Sequence, residues 1–333
     1  MRIIVADDSA IIVSILQHFF EHDEEITIAG VARNGQAAVD LARSLNPDAV
    51  IMDIKMPVMD GLTATKIIAS ETGVPVLMFS GEITPENSFA AYQAGAVEVL
   101  AKPDMDRLND KEFIDYFRGL ILGLKKNRNL RPKDGKLPEE IHRKISLVVM
   151  GASTGGPKTV RQILQNLPGD FPAGIALVQH LEPGFEAGYT QWLNDGTALS
   201  VMLVEKKTEI ASGHVYVSPA IRHLVVDGDR LDLDDGPRVL NQKPAVDVLF
   251  RTAAARFGPS LLGVLLTGMG RDGADGCSEI IKKGGLTVVQ DAETSDIFGM
   301  PRAAIEQDAA SYIVGLPDIP SKLIDICSIG RNR

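Results

Sequence analysis

Ser153, His180 and Asp272, each set just after a run of β-forming residues, are the groups in this sequence best suited to hydrolytic chemistry. The run Leu147 to Met150 breaks at Gly151, presents Ser153, and passes through Gly155-Gly156-Pro157 into a helical pattern carried by Val160, Ile163, Leu164 and Leu167. Pro157 suits a first helical turn, where its missing N–H has no partner in any case. A serine on so sharp a strand-to-helix bend exposes its hydroxyl beside the free amides of the helix start. That geometry suits a nucleophile whose attack creates an oxyanion. The same glycines would also serve a phosphate cradle, so the turn gains its meaning from His180 and Asp272. An imidazole takes the serine proton, and a carboxylate on its other nitrogen fixes the tautomer and stabilises imidazolium.

The chain order of these residues excludes one hydrolase class. Gly151-Ala-Ser153-Thr-Gly155 formally fits GxSxG, but α/β-hydrolases place the histidine after the acid. The last histidine here is His223, well before Asp272. Asp275 is a rival for the acid but lies one helical turn further on, where exposure is expected. His214 and His223 read as structural or surface residues, and Asp247 as an acid favoured by the dipole of a helix start. A dinucleotide site lacks its GxGxxG spacing, and the strand after the serine ends in His180 rather than an acid.

A second constellation lies nearer the start of the chain. Asp7, Asp8, Asp53, Ser80 and Lys102 each follow or end a short β-rich run. Three converging carboxylates repel one another unless a hard cation sits among them, and Mg²⁺ suits an oxygen-rich, partly hydrated site. Asp53 in such a site attacks a phosphoryl group to form an aspartyl-phosphate. Ser80 and Lys102 are placed to bind the new phosphoryl oxygens. Lys102-Pro103 points to a constrained bond, a candidate for the cis form.

The elements that must position these groups alternate. In the first block the runs are Ile3–Ala6, Ile26–Ala32, Ala49–Met52, Val76–Phe79 and Val97–Ala101, with helical patterns between them. That alternation predicts an α/β fold with a five-stranded parallel sheet, its site at the carboxyl ends of the strands. The second block alternates again, with strands at Leu147–Met150, Gly174–Gln179, Leu261–Leu266 and Leu286–Gln290. Helices are expected from Pro244 and from Phe298-Gly-Met-Pro301. A doubly wound, mostly parallel sheet is predicted there. A small antiparallel β stretch is expected from Val215–Ser218, His223–Val226 and Leu231–Leu233.

Length and charge set the frame. A chain of 333 residues is too long for one typical core. Residues 1–124 carry 9 basic and 19 acidic side chains, residues 125–145 carry 8 and 3, and residues 146–333 carry 17 and 22. Two acidic domains, 1–124 and 146–333, are thus joined by a basic linker over 125–145, rich in charge, Pro and Gly. The net charge of −10 argues against nucleic acid as a partner. Two acids stand where a signal peptide needs its apolar region, and the apolar runs are too short to insert in a membrane, so a cytoplasmic location is expected. Cys277 and Cys327 lack metal-ligand spacing and read as buried thiols.

Two resemblances carry the reading further. Asp7-Asp8, Met52-Asp53-Ile54-Lys55-Met56-Pro57, Ser80 and Ala101-Lys102-Pro103 resemble the receiver domain of two-component response regulators. The resemblance implies a flavodoxin-like fold, Mg²⁺ held by Asp7, Asp8 and Asp53, and phosphotransfer from a histidine kinase to Asp53. Val99 departs from the Tyr or Phe that receivers often carry three positions before the lysine. The second block resembles the catalytic domain of chemotaxis protein-glutamate methylesterases. It matches at Gly-Ala-Ser-Thr-Gly-Gly, Gln-His, Pro183-Gly184-Phe185, Pro244–Phe250, Leu-Thr-Gly-Met-Gly-x-Asp-Gly and Phe-Gly-Met-Pro. A receiver fused in front is that family's architecture.

This second resemblance implies the triad Ser153, His180 and Asp272, with Thr154 and the Met269 backbone near the oxyanion and no cofactor for the ester chemistry. It implies methylated chemoreceptor cytoplasmic domains as substrate, methanol as product, possible deamidation of receptor glutamines, and a receiver that covers the cleft until Asp53 is phosphorylated. Leu181-Glu182, Arg271 and Gln242-Lys243 depart from the usual residues and bear on receptor preference. A phospho-switched scaffold with an inactive esterase domain is the alternative, and the complete triad argues against it.

Overall fold

The computed structural model describes residues 1–104, 110–124 and 144–329, and the chain divides into one compact unit within 1–125 and a second within 126–333. Most of the basic linker, residues 125–143, lies outside the described residues.

In the first unit five parallel strands run Arg2–Ala6 (β1), Thr27–Ala32 (β2), Ala49–Met52 (β3), Val76–Ser80 (β4) and Glu98–Ala101 (β5). They are ordered β2-β1-β3-β4-β5. The five-stranded parallel sheet expected from the sequence is therefore present, with no strand end shifted by more than one residue. The β3 and β4 strands are buried along their whole length, as strands covered on both faces must be. Helices Ala10–Phe20 (α1), Gly35–Leu45 (α2), Gly61–Glu71 (α3), Pro85–Ala94 (α4) and Lys111–Gly123 (α5) cover the sheet. Each of these helix starts is capped by a side chain, from Ser9, Asn34, Asp60, Thr84 and Asp110 respectively.

The second unit is built on seven strands: Leu147–Ala152 (β6), Gly174–Gln179 (β7), Ser200–Leu203 (β8), His214–Val217 (β10), Leu261–Leu265 (β13), Leu286–Gln290 (β14) and Tyr312–Val314 (β15). Their order is β15-β14-β13-β6-β7-β10-β8, and every pairing is parallel. The chain leaves β6 in one direction and returns on its other side at β13, so the switch point of the sheet lies at β6. Thr208–Glu209 (β9), His223–Asp227 (β11) and Arg230–Asp234 (β12) form a separate antiparallel sheet.

One expected strand changes sheets. Val215–Ser218 was grouped with the small antiparallel stretch, yet β10 pairs in parallel between β7 and β8. The reason is burial: Val215, Tyr216 and Val217 are at most 1 % exposed, which only a strand inside a covered sheet achieves. The cis expectation for Lys102-Pro103 also fails, because the cis peptide among the described residues is Lys243–Pro244.

Helices Gly156–Gln165 (α6), Glu186–Asn194 (α7), Val246–Phe257 (α8), Ala274–Lys282 (α9), Met300–Glu306 (α10) and Ile319–Ser328 (α11) pack around this sheet. None of their starts has a side-chain cap from its own N-cap residue, in contrast with the first unit. Val246, Leu249, Phe250 and Ala253 of α8 pack on Leu147 and Val149 of β6 in one apolar core. Both cysteines are buried as expected, and burial pushes the Cys327 thiol up to about 12.

Gly61 shows how tightly the first unit is built at its acidic strand end. A Cβ there would overlap the Asp53 backbone carbonyl, whereas one on Gly81 meets nothing within 4 Å. Gly61→Ala should therefore cost about 1–3 kcal/mol in the unfolding transition of the first unit, measured by calorimetry on the full chain. Gly81→Ala should stay within about 0.5 kcal/mol.

Candidate active site

At the carboxyl ends of β1, β3 and β5 the structure gathers Asp7, Asp8, Asp53 and Lys102. Lys102 Nζ lies 2.7 Å from Asp7 Oδ2 and 2.6 Å from Asp53 Oδ2, with only 12 % of its side chain exposed. Asp7 Oδ1 accepts from the Ser9 amide at 2.9 Å, and Asp53 Oδ1 from the Ile54 amide at 2.7 Å. Burial pushes the Asp7 carboxyl up, and the hydrogen bond from Lys102 opposes it. Carboxylate oxygens of Asp7, Asp8 and Asp53 come within 4.8 Å of one another. An all-oxygen set with exposed Asp8 at its mouth leaves room for water ligands, and so fits a small hard cation. Ser80 ends β4, and its carbonyl accepts from the Lys102 amide at 2.8 Å, which brings the two residues together beside Asp53. Val99 is half-buried, packed against the core of this unit.

The second constellation lies at the carboxyl ends of three adjacent strands. Ala152 pairs with Gln179 in register, so Ser153 and His180 are the next residues on neighbouring strands. The His180 amide donates to Ala152 O at 3.1 Å, and the Ser153 amide donates to Thr267 O, beyond β13, at 3.0 Å. Gln179, only 2 % exposed, ties the pair together: its Nε2 donates to Ser153 O at 2.9 Å and to His180 O at 3.1 Å. Gly268 must be glycine for this packing, since a Cβ there would lie 2.8 Å from Ser153 Cβ and overlap Met300.

Asp272 reaches the imidazole from the start of α9. Its Oδ2 lies 2.9 Å from His180 Nε2 and accepts from the Val246 amide at 2.8 Å, while its Oδ1 accepts from the Asp247 amide at 2.9 Å. The carboxylate therefore sits at the start of α8, whose first amides fix its orientation. With the proton on Nε2 donated to Asp272, His180 Nδ1 carries the lone pair. That atom is buried and has no hydrogen-bond partner among the described residues. Ser153 Oγ makes no hydrogen bond to it here, a looseness common before substrate binds.

Around the serine, Thr154 is buried at the turn into α6. Thr154 O is held by Thr267 Oγ1 at 2.9 Å, which fixes the peptide on that side. Met269 lies half-buried between Gly268, whose carbonyl accepts from the Gly299 and Met300 amides, and exposed Gly270. An amide aimed from a rigid turn is what a developing oxyanion requires.

The rival residues fall outside this arrangement. Asp275 is 40 % exposed and pairs with Arg271 at 2.6 Å. His223 is buried as a structural residue, accepting from the Ala245 amide at 3.1 Å and bonding Pro237 O at 2.9 Å. His214, half-buried at the start of β10, bonds the Ser212 carbonyl at 2.9 Å. Sequence reasoning missed Gln179 and understated Asp247, which is fully buried against Asp272. A glutamine ending an otherwise apolar strand was the one available signal for Gln179.

The two units thus pair an acidic phosphoacceptor-type pocket with a serine-histidine-carboxylate site on a parallel sheet. Residues 148–323 match the family model described as CheB methylesterase, and residues 3–111 match that of the response regulator receiver domain. A protein-glutamate methylesterase/protein-glutamine glutaminase of Methanospirillum hungatei is 37 % identical over 94 % of this chain and 94 % of its own. One from Pyrococcus horikoshii is 36 % identical over 99 % of this chain and 95 % of its own. The crystal structure of the Thermotoga maritima CheB methylesterase catalytic domain matches with a TM-score of 0.53 at 37 % identity, covering 55 % of this chain and all of that one. The chain belongs to the CheB methylesterase family, with a response regulator receiver domain in front.

Replacing Asp272 tests the carboxylate's anchorage apart from any reaction. Asp272→Asn turns an N–H group toward the Val246 amide or toward His180 Nε2. It should destabilise the second unit by about 1–3 kcal/mol in urea titrations of the full chain.

Proposed function

We propose that this chain is a serine esterase that hydrolyses glutamate γ-methyl esters on the cytoplasmic part of chemoreceptors, with phosphorylation of Asp53 as its control. The observation that carries the proposal is the His180–Asp272 pair at 2.9 Å, on the strand next to Ser153, with His180 Nδ1 unpartnered. His180 Nδ1 accepts the Ser153 hydroxyl proton as Oγ attacks the ester carbon. The oxyanion forms against the amides at Thr154 and Met269, and Asp272 stabilises the imidazolium. Collapse breaks the C–O bond, and the methoxy oxygen takes the proton from His180 and leaves as methanol. Water then gives its proton to His180, attacks the acyl-serine, and releases glutamate with the Ser153 hydroxyl restored.

The same steps with an amide substrate release ammonia, which fits the glutaminase named in the relatives. Ser153→Ala should lower methanol release from methylated receptor membranes by at least about a thousandfold. Persistent turnover in that variant would remove Ser153 from the role.

In the receiver unit, Asp7, Asp8 and Asp53 would hold Mg²⁺, which draws the phosphodonor oxygens onto the acceptor carboxylate and neutralises charge. Asp53 takes the phosphoryl group from a histidine kinase, and Lys102 and Ser80 bind its oxygens. The receiver covers the catalytic cleft until that transfer, through an intramolecular contact released on phosphorylation. The fused architecture and the short basic tether support this gating. The protein works in the cytoplasm, as its substrate requires, and among the described residues no helix is long and apolar enough to cross a membrane.

A phosphodonor with Mg²⁺ should raise methanol release by the full chain, and either Asp53→Asn or a chelator should abolish the rise. Residues 140–333 alone should show high activity indifferent to phosphodonor. Equal, phosphorylation-insensitive rates for the two forms would overturn the gating.

A further inference from the structure

We propose that Asp247 is a positioning residue for this reaction: it cross-braces the starts of α8 and α9 so that the Asp272 carboxylate stays within reach of His180. The inference rests on the Ser153–His180–Asp272 reading above and goes beyond it.

Two helices begin beside the site without caps of their own, α8 after Ala245 and α9 after Gly273. Each is capped by the acid belonging to the other. Asp272, just before α9, accepts from the Val246 and Asp247 amides of α8. Asp247, in the first turn of α8, accepts on Oδ1 from the Gly273 amide at 3.0 Å and the Gly276 amide at 2.6 Å, both at the start of α9. These bonds close a ring. The Asp247 amide holds the Asp272 side chain, and the Asp247 carboxylate holds the amide of the residue directly after Asp272. Backbone and carboxylate at position 272 are thus both referred to one residue, and a shift of either helix breaks several bonds at once.

The two chains approach too closely for side chains at the contact. A Cβ on Gly273 would lie 2.5 Å from Leu265 Cδ1 and 2.7 Å from Val246 Cγ1, and Gly273 also takes φ +91°. A Cβ on Gly276 would lie 2.5 Å from Phe250 Cβ. The amides therefore reach Asp247 only because both positions are glycine.

One side-chain oxygen, Asp247 Oδ1, accepts both amides of the α9 start, so the brace needs an acceptor at this position. Asp247 is fully buried, and its Oδ2 has no hydrogen-bond partner, only Arg251 Nη2 at 3.7 Å. Burial, with a smaller contribution from the charge of Asp272, pushes its carboxyl up to about 6. The brace is carried by the geometry: the Asp247 amide on Asp272 and the Asp247 carboxylate on Gly273 and Gly276.

The experiment measures methanol release from methylated receptor membranes by full-length Asp247→Ala, Asp247→Asn and Ser153→Ala, with rates expressed per folded enzyme from thermal unfolding traces. Asp247→Ala should lower kcat about 10- to 100-fold with KM within about twofold, as displacement of a catalytic group does. Asp247→Asn keeps an oxygen for the Gly273 and Gly276 amides and should recover kcat to within about threefold of the parent. Folded Asp247→Ala with parental kcat, or Asp247→Asn no better than Asp247→Ala, would overturn the brace. If Asp247→Ala does not fold, Asp247→Glu decides, because one added methylene displaces the carboxylate; parental kcat there would sink the proposal. Activity surviving in Ser153→Ala is a different failure, that of the underlying esterase reading.

Discussion

The second unit depends on where the Asp272 carboxylate is held. A carboxylate that must orient an imidazole cannot rely on that single contact, because an exposed acid finds water as readily as a ring nitrogen. Here two amides from the start of α8 fix it at 2.8 and 2.9 Å, and His180 occupies the remaining direction. The strands supply the other half of the arrangement. Register between β6 and β7 makes Ser153 and His180 lateral neighbours, and Gln179 bonds the carbonyls of both. Ser153 and His180 are therefore placed by sheet pairing, and Asp272 by helix ends.

The two units use one structural device for unlike chemistry. Parallel strands end together, so residues just past those ends converge whatever their separation in the chain. In the first unit the convergence concentrates negative charge, and Lys102 bridges Asp7 and Asp53. In the second it brings Ser153 and His180 together beside the buried acids Asp272 and Asp247. The helix starts differ to match. Side chains cap all five described helices of the first unit, whereas the starts of α6, α8 and α9 leave amides free for the oxyanion turn, Asp272 and Asp247. Free helix amides are a resource for binding charge, and the second unit spends its own on function.

Arg271, Lys243 and Val99 make their contacts outside these centres. Arg271 pairs with Asp275 and keeps that acid outward, away from His180. Lys243 donates to the Asp235 carbonyl at 2.9 Å. Val99 fills part of the receiver core where a larger ring would otherwise stand. None of the three touches the bonds that join Asp272 to His180 or Lys102 to Asp53.

Much of this was legible in the residues themselves. Alternating β-rich runs and helical patterns determine two parallel sheets, because a strand buried on both faces must be apolar throughout. Motifs at strand ends carry Asp7, Asp8, Asp53, Ser80, Lys102, Ser153, His180 and Asp272, all readable from the residues alone. Tertiary structure decided what periodicity does not encode. It moved His214–Val217 into the main sheet, because burial on both faces depends on which elements cover a strand. It separated Asp272 from Asp275, two acids three residues apart, by turning one toward α8 and the other toward Arg271. It also paired Asp247 with the amides of Gly273 and Gly276, a contact that exists only because two helix starts distant along the chain pack end to end. Local sequence fixes which groups a segment carries; the amides that satisfy a buried carboxylate belong to another segment, and only packing brings them to it.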